Sequence, residues 1–294
     1  MKIDGKSIAE NILNNLHAQV AVLKQKGLTP TLAVIQVGDD PASTAYIRQK
    51  QKAAEAIGAK IILSHQSSVI SHQRLEKIIK DFNNDPSVHG IILQRPLPGP
   101  LAGQSTSLCR AILPAKDVDG FHPNSPYPVP VASAIIKIIE HVFHSSLITH
   151  SPRCACEAGH SSLDDVLGGK HIVVIGRGDT AGKPIADMFM KKGYTVSVVH
   201  SQTPHPDAIT KTADILISCV GKPNVVRRDN IKKGAILISV GITRGSDGKL
   251  HGDYEEDQIK DHASLYTPTP GGVGPVNVAC LMKNLVQAAT KVLL

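Results

Sequence analysis

The chain has 294 residues, which is enough for two domains of ordinary size, each able to bury its own core without disulfides. Its hydrophobic content of 41% is ordinary and no run approaches the roughly 18 apolar residues of a membrane span, so we predict a soluble protein. The net charge of +7 is dispersed and only 3% of the residues are aromatic, which argues against a nucleic-acid groove and favours anionic small ligands.

The N-terminus and the cysteines bear on the cellular compartment and on metal binding. The first ten residues lack the apolar segment of a signal peptide, and the five cysteines are odd in number and scattered, so we expect a reducing, cytoplasmic location. Cys154, Cys156 and His160 have the chemistry of metal ligands, but their stretch reads as a linker without a fourth ligand. We therefore predict no metal.

The first half of the chain alternates helical and strand-like segments. The predicted segments are a helix from Lys6, the strand Thr31–Val37, a helix from Pro41, a strand at residues 60–64, a helix from His72 to near Asn83 and a strand at residues 89–94. Short, nearly continuous apolar strands between amphipathic helices are typical of a parallel sheet covered on both faces. The first half is therefore predicted to be a doubly wound α/β domain.

The middle of the chain is rich in proline and glycine. Residues 95–130 contain RPLPGPLAGQ and FHPNSPYPVP, which predicts irregular structure that forms one wall of a cleft. A helix is expected at residues 131–143, followed by a polar, mobile surface loop at residues 145–165.

The second half repeats the α/β alternation. Its predicted strands are the segment HIVVIG that ends at Gly176, residues 195–200, 215–220 and 235–240, and a short strand at Leu265–Tyr266. A final helix at residues 276–293 is expected to pack back on the first domain. The prediction is two doubly wound parallel-sheet domains flanking a cleft: residues 1–122 completed by residues 276–294, and a Rossmann-type domain at residues 123–275.

A glycine-rich turn predicts a nucleotide site in the second domain. The strand HIVVIG runs into GRGDTAGKP, which places Gly176, Gly178 and Gly182 between a strand and a helix. Glycines at such a turn let backbone amides approach a pyrophosphate, and the N-terminus of the helix attracts its charge. The alternative, a turn with no ligand, is weakened by the strand before it and the helix after it.

The end of the next strand favours NADP over NAD. An NAD site usually carries an acid there for the ribose 2′-hydroxyl, whereas this strand ends in His200, Ser201 and Gln202. Arg177 in the glycine turn, with His200 and Ser201 facing it, would bind a 2′-phosphate. The alternative is that Arg177 is a solvated loop residue.

Lys50 is the candidate catalytic residue of the first domain. With Asp40 as N-cap and Pro41 at the first helical position, the helical period puts Tyr46, Lys50, Ala53 and Ile57 on one stripe. A partly buried lysine can have a pKa low enough for proton transfer. The alternative is that its stem is buried while its amine reaches solvent.

Two further polar residues are expected near this helix. Gln94 ends a strand at the carboxyl edge of the sheet, where open α/β folds bind ligands, and would orient Lys50 or a water. Asp119 in KDVDG would accept hydrogen bonds from an amino-heterocycle, with an ordinary turn as the alternative.

These residues fall within five blocks that follow one another along the chain: VGDDPASTAYIRQKQKAAEAIG, GIILQRPLP, PAKDVDGFHPN, VVIGRGDTAGKP and TPTPGGVGPVN. In order and spacing they resemble the bifunctional methylenetetrahydrofolate dehydrogenase/methenyltetrahydrofolate cyclohydrolase family, over nearly the whole chain. The resemblance implies a homodimeric enzyme of one-carbon metabolism that serves purine biosynthesis, with NADP as cofactor and tetrahydrofolate derivatives as substrates.

The resemblance also implies a role for each matching residue. Lys50 matches the catalytic lysine, Gln94 its partner, Asp119 the pterin anchor and Tyr46 the ring that stacks on the folate. The loop of Pro270, Gly271, Gly272 and Val273 matches the segment beside folate and nicotinamide. The implied cofactor-binding residues are Gly176, Arg177, Gly178, Asp179, Thr180, Gly182, His200, Ser201, Gly221 and Ile242.

Four features depart from the family pattern. Arg95 stands in place of a common leucine, Gly178 in place of a serine and Asn277 in place of a threonine, and the stretch after KDVDG is shortened to NSPYPVPVAS. The shortened stretch is expected to affect efficiency and regulation more than the type of reaction, because every residue assigned a direct role is present.

The mechanism expected from this resemblance has two steps. NADP⁺ takes a hydride from 5,10-methylenetetrahydrofolate, and water then attacks the methenyl cation while Lys50 manages proton transfer, giving 10-formyltetrahydrofolate. The alternatives are an NADP oxidoreductase of a small hydroxy acid, which needs no stacking Tyr46, and an NADP-binding regulator without activity.

Overall fold

The computed structural model describes residues 1–150 and 163–293. Its helices and strands are α1 (Gly5–Gln25), β1 (Thr31–Val37), α2 (Pro41–Ile57), β2 (Lys60–Gln66), α3 (His72–Asn84), β3 (Gly90–Leu93), α4 (Ser105–Arg110), α5 (Pro130–His150), α6 (Leu163–Leu167), β4 (His171–Ile175), α7 (Gly182–Lys191), β5 (Thr195–Val199), α8 (Pro206–Thr210), β6 (Ile215–Ser218), β7 (Ile236–Ser239), β8 (Thr243–Arg244), β9 (Leu250–His251), α9 (Glu256–Ile259), β10 (Leu265–Tyr266) and α10 (Val273–Lys291).

The chain divides into two compact units, named here by their main sheets. The three-stranded unit comprises residues 9–130 and 278–294, and the five-stranded unit comprises residues 1–8 and 131–277. The first eight residues join the five-stranded unit because Lys2 pairs with Tyr266 in a parallel bridge and the Ile3 N–H donates to the Tyr266 carbonyl at 2.8 Å.

The three-stranded sheet is parallel in the order β2-β1-β3, and its central strand contributes side chains to two hydrophobic cores. Along β1, Leu32 and Val34 enter one hydrophobic cluster, whereas Ala33 and Ile35 enter the other. This alternation arises because successive strand side chains point to opposite faces and helices cover both. The predicted doubly wound sheet is confirmed for the first half of the chain.

β2 departs from the expectation of a strand buried on both faces. It is an edge strand, and Ile62 and Leu63 are 37% and 42% exposed. It also runs to Gln66, two residues beyond the predicted end, because it pairs with β1 along its whole length.

α10 contributes to the core of the three-stranded unit. Its Asn284 amide donates to the Val118 carbonyl at 2.8 Å and to the Pro128 carbonyl at 2.9 Å, so it ties the KDVDG motif to the segment that follows it. Gly90 gives the helix room, since a Cβ there would lie 3.0 Å from a methyl group of Leu285.

The five-stranded sheet is also parallel, in the order β10-β7-β6-β4-β5. β6 and β7 are buried at every position, as expected of central strands with helices on both faces. The predicted second parallel-sheet domain is confirmed.

Two expectations about the middle of the chain are wrong. The proline-rich stretch contains α4 and two 3₁₀ helices, Gly99–Gln104 and Pro114–Lys116, because Leu108 and Cys109 are apolar enough to bury one face of α4. The expected loop at residues 145–165 is helical at both ends, where α5 continues to His150 and α6 begins at Leu163. No proline or glycine interrupts α5 before Pro152.

At the amino edge of the three-stranded sheet, His89 is buried and accepts a hydrogen bond from the Thr31 N–H at 3.2 Å. Burial lowers the pKa of this imidazole from its ordinary value of 6.5, and the nearby Lys116 ammonium acts in the same direction. The ring is therefore held in its neutral form.

Over the described residues, none of the helices combines the length and apolar character that crossing a membrane requires.

Candidate functional site

α2 positions the candidate lysine. The Asp40 side chain caps the helix by accepting from the Ser43 N–H at 2.7 Å, and Pro41 occupies the first helical turn. Nine residues later Lys50 is half-buried, and its Nζ donates to Gln94 Oε1 at 2.9 Å. The structure therefore brings Lys50 and Gln94 together at the carboxyl edge of the three-stranded sheet.

The amide of Gln94 is itself fixed. Its backbone N–H donates to the Ile35 carbonyl at 2.8 Å and its Nε2 donates to the Arg95 carbonyl at 2.9 Å. Because the amide nitrogen is engaged by a carbonyl, the amide oxygen is the atom that faces Lys50. This arrangement suits a lysine held in one position.

The environment of Lys50 favours its neutral form. Burial lowers the pKa of the ammonium from its ordinary value of 10.5, Asp119 acts against that shift and Arg95 reinforces it. A lysine with a lowered pKa can exchange protons at pH values where an exposed lysine stays charged.

Tyr46 lies one helical turn before Lys50 and is half-buried. Burial raises the pKa of its hydroxyl, so the ring stays neutral at ordinary pH. A neutral aromatic ring beside a lysine can stack on a planar ligand.

The KDVDG motif forms a turn with two different carboxylates. Asp119 is half-buried and acts electrostatically on Lys50. Asp117 is only 1% exposed, accepts from the His122 N–H at 2.7 Å, and has a pKa raised to about 6 by burial. Asp117 was not among the predicted site residues: it is a second carboxylate two residues before Asp119, and nothing in the spacing indicates which of the two is buried.

The glycine turn of the five-stranded unit depends on two of its three glycines. Gly176 has φ 103° and follows β4, and its N–H donates to the Val199 carbonyl at 2.8 Å. A Cβ at Gly182 would overlap the Gly176 carbonyl, whereas a Cβ at Gly178 would meet nothing within 4 Å. The turn is therefore built by Gly176 and Gly182, and Gly178 lies open to a ligand, as do the exposed Asp179 and Thr180.

Arg177 lies beside the end of β5. Its Nη2 donates to Gln202 Oε1 at 3.2 Å, and the Gln202 N–H donates to His200 Nδ1 at 3.2 Å. Ser201, between them, is exposed. The structure thus groups the three predicted residues and adds Gln202, which was predicted only to lie at the end of the strand.

Gly221 and Ile242 follow β6 and β7 at the same edge of the sheet. A Cβ at Gly221, whose φ is 68°, would lie 3.2 Å from the Ile242 carbonyl oxygen. The two residues are therefore backbone neighbours, and together with the glycine turn they line the carboxyl edge where parallel sheets bind nucleotides.

Asp253 organises these loops, although it was not among the predicted site residues. It is fully buried, and its carboxylate accepts from the Ser218 hydroxyl at 2.6 Å, the Val220 N–H at 3.0 Å and the Lys222 N–H at 2.9 Å. No motif or strand end marks it in the sequence, because its donors lie about 30 residues earlier.

The predicted loop at Pro270, Gly271, Gly272 and Val273 opens α10 within the five-stranded unit. A Cβ at Gly272 would lie 2.6 Å from the Pro268 carbonyl oxygen and 2.7 Å from the Thr267 side chain, and one at Gly5 would overlap the Gly272 carbonyl. In this segment backbone atoms pack directly against backbone atoms. Only glycine, which has no Cβ, permits so close an approach.

The predicted residues fall into two groups. Lys50, Gln94, Asp119 and Tyr46 lie in the three-stranded unit, and the predicted cofactor residues and the proline–glycine loop lie in the five-stranded unit. Among the described residues, no three His, Cys, Asp or Glu side chains group as a metal site requires. Cys154, Cys156 and His160 lie outside the described residues.

Comparisons with known proteins cover both groups. Residues 3–119 match the model of the tetrahydrofolate dehydrogenase/cyclohydrolase catalytic domain, and residues 159–293 match that of the tetrahydrofolate dehydrogenase/cyclohydrolase NAD(P)-binding domain. The bifunctional protein FolD of Halalkalibacterium halodurans is 41% identical over 287 residues, which are 98% of each chain.

Solved structures also resemble the whole chain. The bifunctional FolD methylenetetrahydrofolate dehydrogenase/cyclohydrolase of Campylobacter jejuni has a TM-score of 0.87 and 34% identity, with 99% of both chains covered. The Trypanosoma brucei methylenetetrahydrofolate dehydrogenase-cyclohydrolase, solved with NADP and an inhibitor, has a TM-score of 0.85 and 32% identity, covering 100% of this chain and 98% of that one.

Proposed function

The chain belongs to the tetrahydrofolate dehydrogenase/cyclohydrolase family, and on this basis we propose that it oxidises 5,10-methylenetetrahydrofolate with NADP⁺ and hydrolyses the methenyl product to 10-formyltetrahydrofolate. The observation that carries the proposal is the hydrogen bond of 2.9 Å between Lys50 and Gln94, next to Tyr46 and within the field of Asp119. This group offers what hydrolysis of a planar cation needs: a stacking ring, a carboxylate and a proton acceptor.

The residues of the three-stranded unit handle the substrate in this proposal. Tyr46 stacks on the pterin ring and Asp119 accepts its N–H groups. Lys50, kept in place by Gln94, accepts the proton from the water that attacks the methenyl carbon, for which it must be neutral. Burial lowers the pKa of Lys50 in the direction this role requires.

The residues of the five-stranded unit fit NADP. Gly178 leaves open backbone beside the N-terminus of α7, which suits a pyrophosphate, and Arg177 with His200 and Ser201 suits a 2′-phosphate. When bound, the cofactor accepts the hydride from the methylene carbon. Gly221, Ile242 and the loop from Pro270 to Val273 are proposed to position it.

The test is to offer the purified full chain methylenetetrahydrofolate with NADP⁺ and to follow methenyl absorbance. We expect absorbance to rise with reduction of NADP⁺ and to decay faster than in the absence of protein. Binding of NADP⁺ without turnover would favour a regulator, and turnover only of small hydroxy acids would favour another oxidoreductase; either result would contradict the proposal.

Cofactor preference provides a sharper prediction. Replacing Arg177 by Ala removes a guanidinium that can pair with a 2′-phosphate, so the affinity for NADP⁺ should fall roughly tenfold or more while that for NAD⁺ changes little. Isothermal titration with both cofactors measures this. Arg228→Ala, which removes an arginine elsewhere in the same unit, is the control. Equal use of NADP⁺ and NAD⁺ by the parent protein would refute the assignment.

The proposal extends to assembly and location. We propose a cytoplasmic homodimer whose 10-formyl product supplies purine biosynthesis. In support, no described residue pairs with the outer side of β2, and Ile62 and Leu63 are partly exposed on it. Sedimentation equilibrium of the full chain gives the assembly state, and a monomer at micromolar concentration would contradict the dimer.

A further inference from the structure

Arg95 is a charged residue of the candidate site to which the proposed mechanism gives no role. It follows Gln94 directly, and its guanidinium carbon lies 3.7 Å from the centroid of the Phe121 ring. Phe121 comes immediately after the KDVDG turn, so the stacking attaches the guanidinium to the turn that carries Asp119. Arg95 is thus half-buried and held, unlike an arginine extended into solvent.

The charge of Arg95 is not cancelled by direct contact. Among the described residues, no carboxylate lies within 4 Å of its guanidinium. Asp119 acts electrostatically on the same two side chains as Arg95 does, those of Lys50 and Cys109. Arg95, Asp119 and Asp117 all act electrostatically on the thiol of Cys109 in α4. These three charged groups therefore lie in one region of the three-stranded unit.

The charged groups that act on Lys50 come from two elements. Asp119 on the KDVDG turn favours the ammonium, and Arg95 at the end of β3 disfavours it. Tyr46, on the same helix as Lys50, stays neutral at ordinary pH because burial raises its pKa. Beyond burial, which lowers the pKa of Lys50 most, the protonation of Lys50 therefore depends on one carboxylate and one guanidinium.

We propose that Arg95 is a positioning residue for the reaction: stacked on Phe121 and directly following Gln94, the partner of Lys50, it keeps positive charge in the candidate site so that the neutral amine of Lys50 is available at lower pH. Arg95 also anchors the lysine's partner, because its carbonyl accepts from Gln94 Nε2 at 2.9 Å. The backbone of Arg95 thus orients the Gln94 amide, and its side chain supplies the positive charge that acts on Lys50. This inference rests on the proposed function for its consequence in catalysis, but not for its effect on Lys50.

The experiment compares Arg95→Gln with Arg95→Lys, which keeps the charge, and with Arg110→Gln, which removes an exposed arginine of α4. The readouts are the pH profile of methenyl hydrolysis and competitive labelling of Lys50 with acetic anhydride across pH, read by mass spectrometry. For Arg95→Gln we expect the acid limb of the profile and the labelling midpoint to move up by about one pH unit. Arg95→Lys should restore most of that shift, and Arg110→Gln should match the parent.

The outcomes separate the two proposals. If the parent does not turn over folate, the proposed function fails, and labelling of Lys50 still decides the role of Arg95. Coincident labelling midpoints in the parent and Arg95→Gln would overturn the inference. So would a raised KM with an unmoved pH profile, because Arg95 would then bind a substrate carboxylate. Phe121→Leu, which releases the guanidinium, should give a smaller shift in the same direction if Arg95→Gln folds poorly.

Discussion

Replacing Lys50 by Met is expected to reduce the hydrolysis of the methenyl cation by a factor of about 10² to 10⁴, the usual cost of losing a positioned acid–base group. Methionine keeps much of the volume of the lysine stem, so α2 should retain its packing and the melting temperature should stay close to that of the parent. Hydride transfer needs positioning rather than a proton acceptor, so part of the dehydrogenase activity should survive and methenyl product should accumulate.

The same helix provides the control. Lys52 is exposed on the opposite side of α2, and Lys52→Met should leave both activities within a few fold of the parent. Stopped-flow absorbance measures the two rates on one preparation of each variant. A hydrolysis rate in Lys50→Met equal to that in Lys52→Met would remove Lys50 from the mechanism.

Replacing Gly182 by Ala should disrupt the nucleotide site and weaken NADP⁺ binding. The added methyl group would overlap the Gly176 carbonyl, and backbone atoms cannot move aside as a flexible side chain can. Such overpacking typically costs about 1–3 kcal/mol of unfolding free energy, and opening the turn should lower the affinity for NADP⁺ at least about tenfold. Thermal melts with and without NADP⁺ measure both effects.

Gly178 in the same turn is the matched comparison. A Cβ there meets nothing within 4 Å and the backbone has no positive φ, so Gly178→Ala should melt like the parent. If its affinity for NADP⁺ falls without a change in melting temperature, the cofactor lies against Gly178. Parent-like melting and binding by Gly182→Ala would instead show that the turn is not built as described.

The sequence predicted the sheets because their signal is local. β1 and β10 have the predicted bounds, and the other strands of the two parallel sheets differ by one or two residues, since a strand ends where pairing ends and not where the apolar run does. The two-residue strands β8 and β9 were not predicted, because they are too short to carry an apolar pattern. Edge position is not local: β2 has the apolar composition of a buried strand, but it has a neighbour on one side only. The burial of α4 could not be predicted from the proline-rich stretch either, because burial also depends on neighbours that are distant in the sequence.

The same division applies to the candidate site. Lys50 and Gln94 could be paired because a helix period and a strand end each place one side chain at the carboxyl edge of the sheet. Asp253 could not be found, because its role depends on donors at Ser218 and Lys222 that come near only when β6 and the loop before α9 pack together. The contact between Arg95 and Phe121 likewise joins two irregular segments that no periodicity relates.

The buried carboxyl of Asp117 makes folding of the three-stranded unit a proton-binding event. Its pKa is raised from 3.8 to about 6, so between those values the folded chain holds a proton that the unfolded chain releases, and stability from this group is lost as the pH rises toward 6. His89 has the opposite linkage, because its lowered pKa makes the unfolded chain take up the proton first as the pH falls below 6.5. Mild acid therefore relieves the cost of burying the Asp117 carboxyl while it adds a cost of keeping His89 neutral, so the two groups oppose each other in the stability of one unit.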